Sequence, residues 1–119
     1  MCKLVPIETS MGNTINVSEY KADKLKIYLR IFPILKSVDR VVLFGSVLEE
    51  RCTPESDIDF LFYYNDKKAF RHDMNYTLPE AFPDSCYDDK LRLPTGAVAK
   101  AGALRRAQRE GVLLYERRR

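Results

Sequence analysis

The spacing of apolar and polar positions alternates between a helical and an extended period along the chain. Apolar residues recur at Leu25, Tyr28, Leu29 and Phe32, which lines one face of an α-helix. Ser18 stands before this helix as an N-cap, with Lys21 at the capping-box position, and Pro33 ends or kinks it. Arg40–Phe44 (RVVLF) is a short β-branched run closed by Gly45, which predicts a buried strand. Residues 46–52 predict a short helix, and Thr53-Pro54-Glu55-Ser56 a turn. Asp57–Tyr64 (DIDFLFYY) predicts a second strand, with Ile58, Phe60 and Phe62 directed toward a core. Asn65-Asp66 marks its end and caps a helix over residues 67–78, closed by Pro79. A third, short strand is predicted at 82–88, a basic, Ala-rich helix at 97–110 stopped by Gly111, and a last strand over Val112–Tyr115. Residues 1–17, with Pro6, Gly12 and two Asn, read as an irregular or weakly extended lead-in; 18–116 read as the domain and 117–119 as a basic tail. Strands interleaved with helices predict a small α+β fold, α/β-like in its alternation, with a small mixed β-sheet and flanking helices.

Composition narrows the function classes. At 119 residues the chain is the size of one domain. A hydrophobic fraction of 45% and a charged fraction of 31% suit a soluble globular protein. No apolar run reaches the roughly 18 residues of a membrane span, and Met1–Pro6 holds no apolar signal core, so a cytoplasmic protein without a membrane partner is expected. His72 is the one histidine and reads as a surface helix residue, which argues against His-rich zinc sites. Cys2, Cys52 and Cys86 are too few and too scattered for a disulfide framework; Cys52 and Cys86 read as small buried residues. Neither GxGxxG nor GxxxxGK[ST] occurs.

The net charge of +3 is placed unevenly. From Lys100 to Arg119 there are seven basic and two acidic residues, so the tail carries +5 and the rest of the chain −2. A basic terminus on an acidic body is a poor nucleic-acid reader. Nucleic acid is therefore an unlikely partner, and Arg117-Arg118-Arg119 reads as a solvated end.

The segment that carries chemistry is Gly45-Ser46, then nine intervening residues, then Ser56-Asp57-Ile58-Asp59. Asp57 and Asp59, two residues apart on one strand, project from the same face. Two carboxylates that close repel unless a cation lies between them, and hard oxygens of this kind suit Mg²⁺, which also takes phosphate oxygens. Gly45 permits a sharp turn, and a helix start behind it offers N–H groups to a phosphate. Carboxylates facing a phosphate cradle suit phosphoryl or nucleotidyl transfer by two metal ions.

At these residues the chain resembles the minimal nucleotidyltransferases of the DNA polymerase β-like superfamily, whose signature is GSxxxGxxxxxSDxD. Val41-Val42-Leu43-Phe44 and Arg109-Glu110-Gly111-Val112-Leu113-Leu114-Tyr115-Glu116 resemble the family as well, so the likeness covers roughly residues 20–116. It implies the nucleotidyltransferase fold, and transfer of a nucleoside monophosphate from a nucleoside triphosphate such as ATP with release of pyrophosphate. It implies two Mg²⁺ ions held by Asp57, Asp59 and a third carboxylate, which alignment places at Asp84, with Asp88 as the fallback. Gly45, Ser46 and Ser56 become nucleotide-binding residues. Small stand-alone members are often antitoxins paired with a helical HEPN toxin, and some adenylylate a tyrosine of it, which implies a partner protein as acceptor.

Two positions depart from the signature: Glu50 stands at the family's internal Gly and Glu49 at the Arg that commonly precedes it. Each acid opposes a triphosphate by roughly 1 kcal/mol when solvent-screened, and Arg51 is the residue placed to compensate. The alternative is an antitoxin of this fold that has lost catalysis and neutralises its toxin by binding. Tyr63-Tyr64 reads as strand packing, and helix 97–110 as a packed helix with a wet basic face.

Overall fold

The computed structural model describes residues 1–81 and 101–118. Strands β1 (Leu4–Glu8) and β2 (Thr14–Ser18) lead into helix α1 (Ala22–Ile31), a 3₁₀ turn (Phe32–Ile34) and strand β3 (Val38–Phe44). A second 3₁₀ turn (Ser46–Leu48) and a loop connect β3 to β4 (Asp59–Tyr64). A helical stretch follows, made of α2 (Lys67–His72), a π-helical turn (Asp73–Thr77) and α3 (Leu78–Ala81). After residues 82–100 come α4 (Ala101–Glu110) and β5 (Val112–Glu116). The expected α+β class is what is found, as two small sheets with helices against them. Every pairing among the described strands is antiparallel.

The central sheet has the order β4-β3-β5. Its inner face carries Val41, Leu43, Phe60, Phe62 and Leu114, all buried. Helix α1 lays Leu25, Tyr28 and Ile31 on that face, as its apolar spacing predicts. Tyr28 and Phe60 meet edge-on at 5.1 Å, Phe32 and Phe60 at 5.5 Å, and Phe60 and Phe62 at 5.6 Å. These are the separations at which aromatic quadrupoles attract. Strand alternation turns Phe44 and Leu61 to the opposite face, where Ala107 of α4 covers them. No Cβ fits at Gly111, since it would lie 2.2 Å from the Ala107 carbonyl oxygen, so α4 turns tightly into β5. Asp59 shares the parity of Leu61 and therefore the face on which α4 lies.

Several expectations change. Residues 1–17 are not an irregular lead-in: Leu4 to Glu8 pairs with Thr14 to Ser18 as a hairpin. Its turn is closed by Thr9 N–H donating to the Asn13 carbonyl (2.7 Å), with Gly12 at φ +85°. Ile7 and Val17 bury one face of it in the main core, a burial that Pro6 and a five-residue connection obscure in the sequence. Ser18 ends β2 and takes a hydrogen bond from the Tyr20 N–H (3.2 Å), so the helix starts past it, at Ala22. The helix expected over 46–52 is one 3₁₀ turn, because the chain is extended again at Glu49. The helix expected to close at Pro79 runs on to Ala81, with a π-helical turn before it. Asp73 in that turn accepts from the Ser37 hydroxyl at 2.5 Å and the Thr77 hydroxyl at 3.1 Å, which ties the stretch to the start of β3. The third strand expected at 82–88 lies outside the described residues.

The basic tail is not simply solvated. Arg117 donates from Nε to the Val38 carbonyl (3.1 Å) and from Nη2 to the Leu35 carbonyl (2.8 Å), while its own N–H reaches Asp39 O (2.7 Å). These carbonyls end the 3₁₀ turn and begin β3, and a guanidinium fork is suited to gather them. Arg118 is exposed, as expected of a tail. Tyr64 stacks on Phe70 at 4.8 Å and Tyr63 lies under the Arg40 guanidinium at 5.3 Å, so the tyrosine pair packs as its strand position predicts. His72 is exposed and rests against Tyr76, and Cys52 is buried.

Candidate active site

Strand β3 ends at Phe44, and the backbone turns at Gly45 with φ +89° and ψ −160°. An L-residue rarely adopts this conformation, whereas glycine does so without a steric penalty. The side chain of Asp59, paired with Phe44 across the ladder, occupies the space a Cβ at Gly45 would need: that atom would lie 2.5 Å from Asp59 Oδ2. The glycine thus seats the carboxylate against the turn. Ser46 follows in the 3₁₀ turn, whose carbonyl takes the Glu49 N–H at 2.9 Å. Three residues make a weak dipole, so the helix-terminus part of the expected phosphate cradle is smaller than the sequence suggests.

Ser56 closes its own turn. Its Oγ accepts the Thr53 N–H at 2.9 Å, and its N–H donates to the Thr53 carbonyl at 3.0 Å. Asp57 and Ile58 precede β4, which starts at Asp59, two residues later than expected. Ile58 is nonetheless buried, and both aspartates are half-buried at the rim of one cleft. That cleft, of about 280 Å³, is lined by Ser46, Arg51, Glu55, Ser56, Asp57, Asp59 and Arg106. It brings together Ser46, Ser56, Asp57 and Asp59 and sets Gly45 directly behind Asp59. Asp84, and Asp88 with it, lie outside the described residues.

Tertiary contacts supply the support of this site. The buried ammonium of Lys21 donates to the Pro54 carbonyl at 3.0 Å, bracing the loop between the two halves of the motif. The Cys2 N–H donates to the Glu50 carbonyl at 2.8 Å, so the N-terminal segment holds the same loop. Arg51 pairs with Glu49, as its sequence position suggests. That hydrogen bond holds the Glu49 carboxyl below its ordinary value, with Arg51 and Arg106 adding Coulombic attraction, and it raises the Arg51 guanidinium in turn. Arg106 enters from α4, a helix its composition presents as merely basic.

The donor set is hard oxygen: two aspartates and a serine hydroxyl facing one solvent-filled cleft. It fits a divalent cation shared with phosphate oxygens. Among the described residues no group of three His, Cys, Asp or Glu side chains converges to hold a metal ion. The family model described as polymerase beta, nucleotidyltransferase matches residues 23–119. The chain belongs to this family. No curated protein matches it. This nucleotidyltransferase domain sets Asp59 at the first residue of β4 and Ser46 at the turn after β3, which lie side by side at the same end of one antiparallel pair. As a family, such domains transfer nucleoside monophosphates and use a nucleoside triphosphate with a divalent metal. Among the described residues of this nucleotidyltransferase no helix is long and apolar enough to cross a membrane.

Proposed function

We propose that the chain is a Mg²⁺-dependent nucleotidyltransferase that moves AMP from ATP to a hydroxyl on a partner protein, in the cytoplasm. The observation that carries this reading is the convergence of Asp57, Asp59 and Ser46 on one cleft, with Gly45 leaving room for Asp59. In the reaction the acceptor oxygen bonds to the α-phosphorus, the bond to the β-phosphate oxygen breaks, and pyrophosphate leaves. Asp57 and Asp59 hold the metal and orient the α-phosphate; Ser46 and Ser56 contact phosphate oxygens; Asp84 is the third carboxylate and the base that receives the acceptor's proton. Mg²⁺ bound there supplies Lewis-acid stabilisation of the phosphate charge. The partner proposed is a helical HEPN-type toxin, with this chain as its antitoxin. The test is incubation with labelled ATP, Mg²⁺ and the product of the adjacent gene. Label should pass to that product and be lost in Asp57→Asn and Asp59→Asn; label that persists in both variants refutes the site.

Glu49 and Glu50 favour a second reading, an antitoxin of the same fold that binds its toxin without catalysis. The ion pair between Glu49 and Arg51 weighs against it, because it removes one of the two uncompensated charges. Calorimetry separates the two: tight partner binding without Mg²⁺-ATP binding supports occlusion alone.

A further inference from the structure

Two guanidiniums in the cleft have no part in holding a metal. Arg51 follows the 3₁₀ turn and Arg106 comes from α4, and both line the cleft with Ser46, Asp57 and Asp59. Their ion-pair partners lie outside the aspartate pair. Arg51 is held by Glu49, and Arg106 Nε lies 3.9 Å from Glu110, one helical turn further on. The Arg51 side chain is 63% exposed and that of Arg106 45%. Ion pairs so exposed contribute little and are readily exchanged for a better anion.

The cleft carries charges of both signs. Glu55, Asp57 and Asp59 supply acidic groups, so among the described lining residues the side chains that can neutralise an anionic ligand directly are the two guanidiniums. A three-residue turn offers little dipole for that purpose. Guanidinium forks match phosphate oxygens in a bidentate manner. The position of Arg106 relative to Asp59 is set by packing: Ala107 sits on Phe44 and Leu61, the face of the sheet that Asp59 shares.

We infer that Arg51 and Arg106 form a clamp for the polyphosphate of the nucleotide, half of it contributed by the C-terminal helix, and that Glu49 holds Arg51 until phosphate replaces it. The identity of the ligand as a nucleoside triphosphate rests on the nucleotidyl-transfer reading; the clamp itself requires only a polyphosphate. The chain thereby supplies from a loop and a distant helix the positive charge that its signature lacks at Glu49 and Glu50.

The test is titration calorimetry of the full chain with Mg²⁺-ATP and, separately, with Mg²⁺-tripolyphosphate. Arg106→Ala and Arg51→Ala should each weaken both ligands about tenfold, the worth of a charge-assisted hydrogen bond. Arg106→Lys should recover part of the loss, and Glu49→Gln should tighten binding about threefold by freeing Arg51. Because these side chains are exposed, circular-dichroism melts should match the wild type throughout. Arg106→Ala binding both ligands like the wild type overturns the clamp and leaves the transfer reading standing. Glu49→Gln without gain overturns the holding role of Glu49. Tripolyphosphate bound through Arg106 by a chain that transfers nothing supports the clamp and removes the transfer reading. A wild type that binds neither ligand overturns both.

Discussion

Gly45→Ala should impose two costs at once, and Gly12→Ala supplies its control. Gly45 has φ +89° and ψ −160°, a combination an L-residue adopts at about 1–3 kcal/mol of backbone strain. The new methyl group would also stand 2.5 Å from Asp59 Oδ2. Ordinary contact demands that the carboxylate retreat by about 1 Å, and a displacement of that size at a reacting centre costs about 100-fold in rate. Gly12 has φ +85° in the hairpin turn with nothing within 4 Å, so its substitution carries only strain, about 1 kcal/mol. Urea denaturation followed by circular dichroism should show Gly45→Ala destabilised by about 2–3 kcal/mol and Gly12→Ala by roughly half as much. Initial transfer rates should separate them further, with Gly45→Ala down about 100-fold and Gly12→Ala unchanged. Equal destabilisation of the two variants, together with wild-type transfer by Gly45→Ala, would refute the claim that Gly45 exists to seat Asp59.

Three further outcomes follow from the packing. Phe60→Ala opens the centre of the aromatic cluster around Tyr28, Phe32 and Phe62 and should cost about 3–5 kcal/mol by urea denaturation. Arg117→Ala breaks two charge-assisted hydrogen bonds to the Leu35 and Val38 carbonyls and should cost about 1–2 kcal/mol, whereas Arg118→Ala should be neutral; thermal melts of the two variants decide it. The depressed Glu49 carboxyl contributes stability above the ordinary glutamate value that is lost as pH falls through its lower folded value. Exposure keeps this well under about 1 kcal/mol, so the melting temperature of Glu49→Gln, measured against pH in the acid range, should fall slightly less steeply than that of the wild type.

The parts legible in the sequence are those set by neighbours along the chain. The period of Leu25, Tyr28 and Phe32 reads directly as a buried helix face, and alternation over Ile58, Phe60 and Phe62 reads as a strand with one face in the core. Alternation also put Asp57 and Asp59 on one side, and the spacing from Gly45-Ser46 then indicated a shared site. The hairpin of residues 4–18 was not legible, because Pro6 interrupts its apolar run and its worth lies in burying Ile7 and Val17 against elements far along the chain. A short helix over 46–52 was a sound expectation from composition alone, but the N-terminal segment competes for that loop: the Cys2 N–H takes the Glu50 carbonyl.

By itself, then, the sequence pointed to the chemistry proposed for this protein: two carboxylates two residues apart and a Gly-Ser turn upstream of them, which the fold brings to one cleft. Those are matters of backbone period and residue type, both local. Only the tertiary structure decided what surrounds that chemistry. It brought Arg106 from a C-terminal helix to a cleft made by residues 46–59, set buried Lys21 under the loop, and turned Arg117 from a free tail into a tie on β3. Each joins residues many positions apart, so no period along the chain encodes it. It follows from which faces the packed sheet leaves for α4 and the N-terminal hairpin to cover.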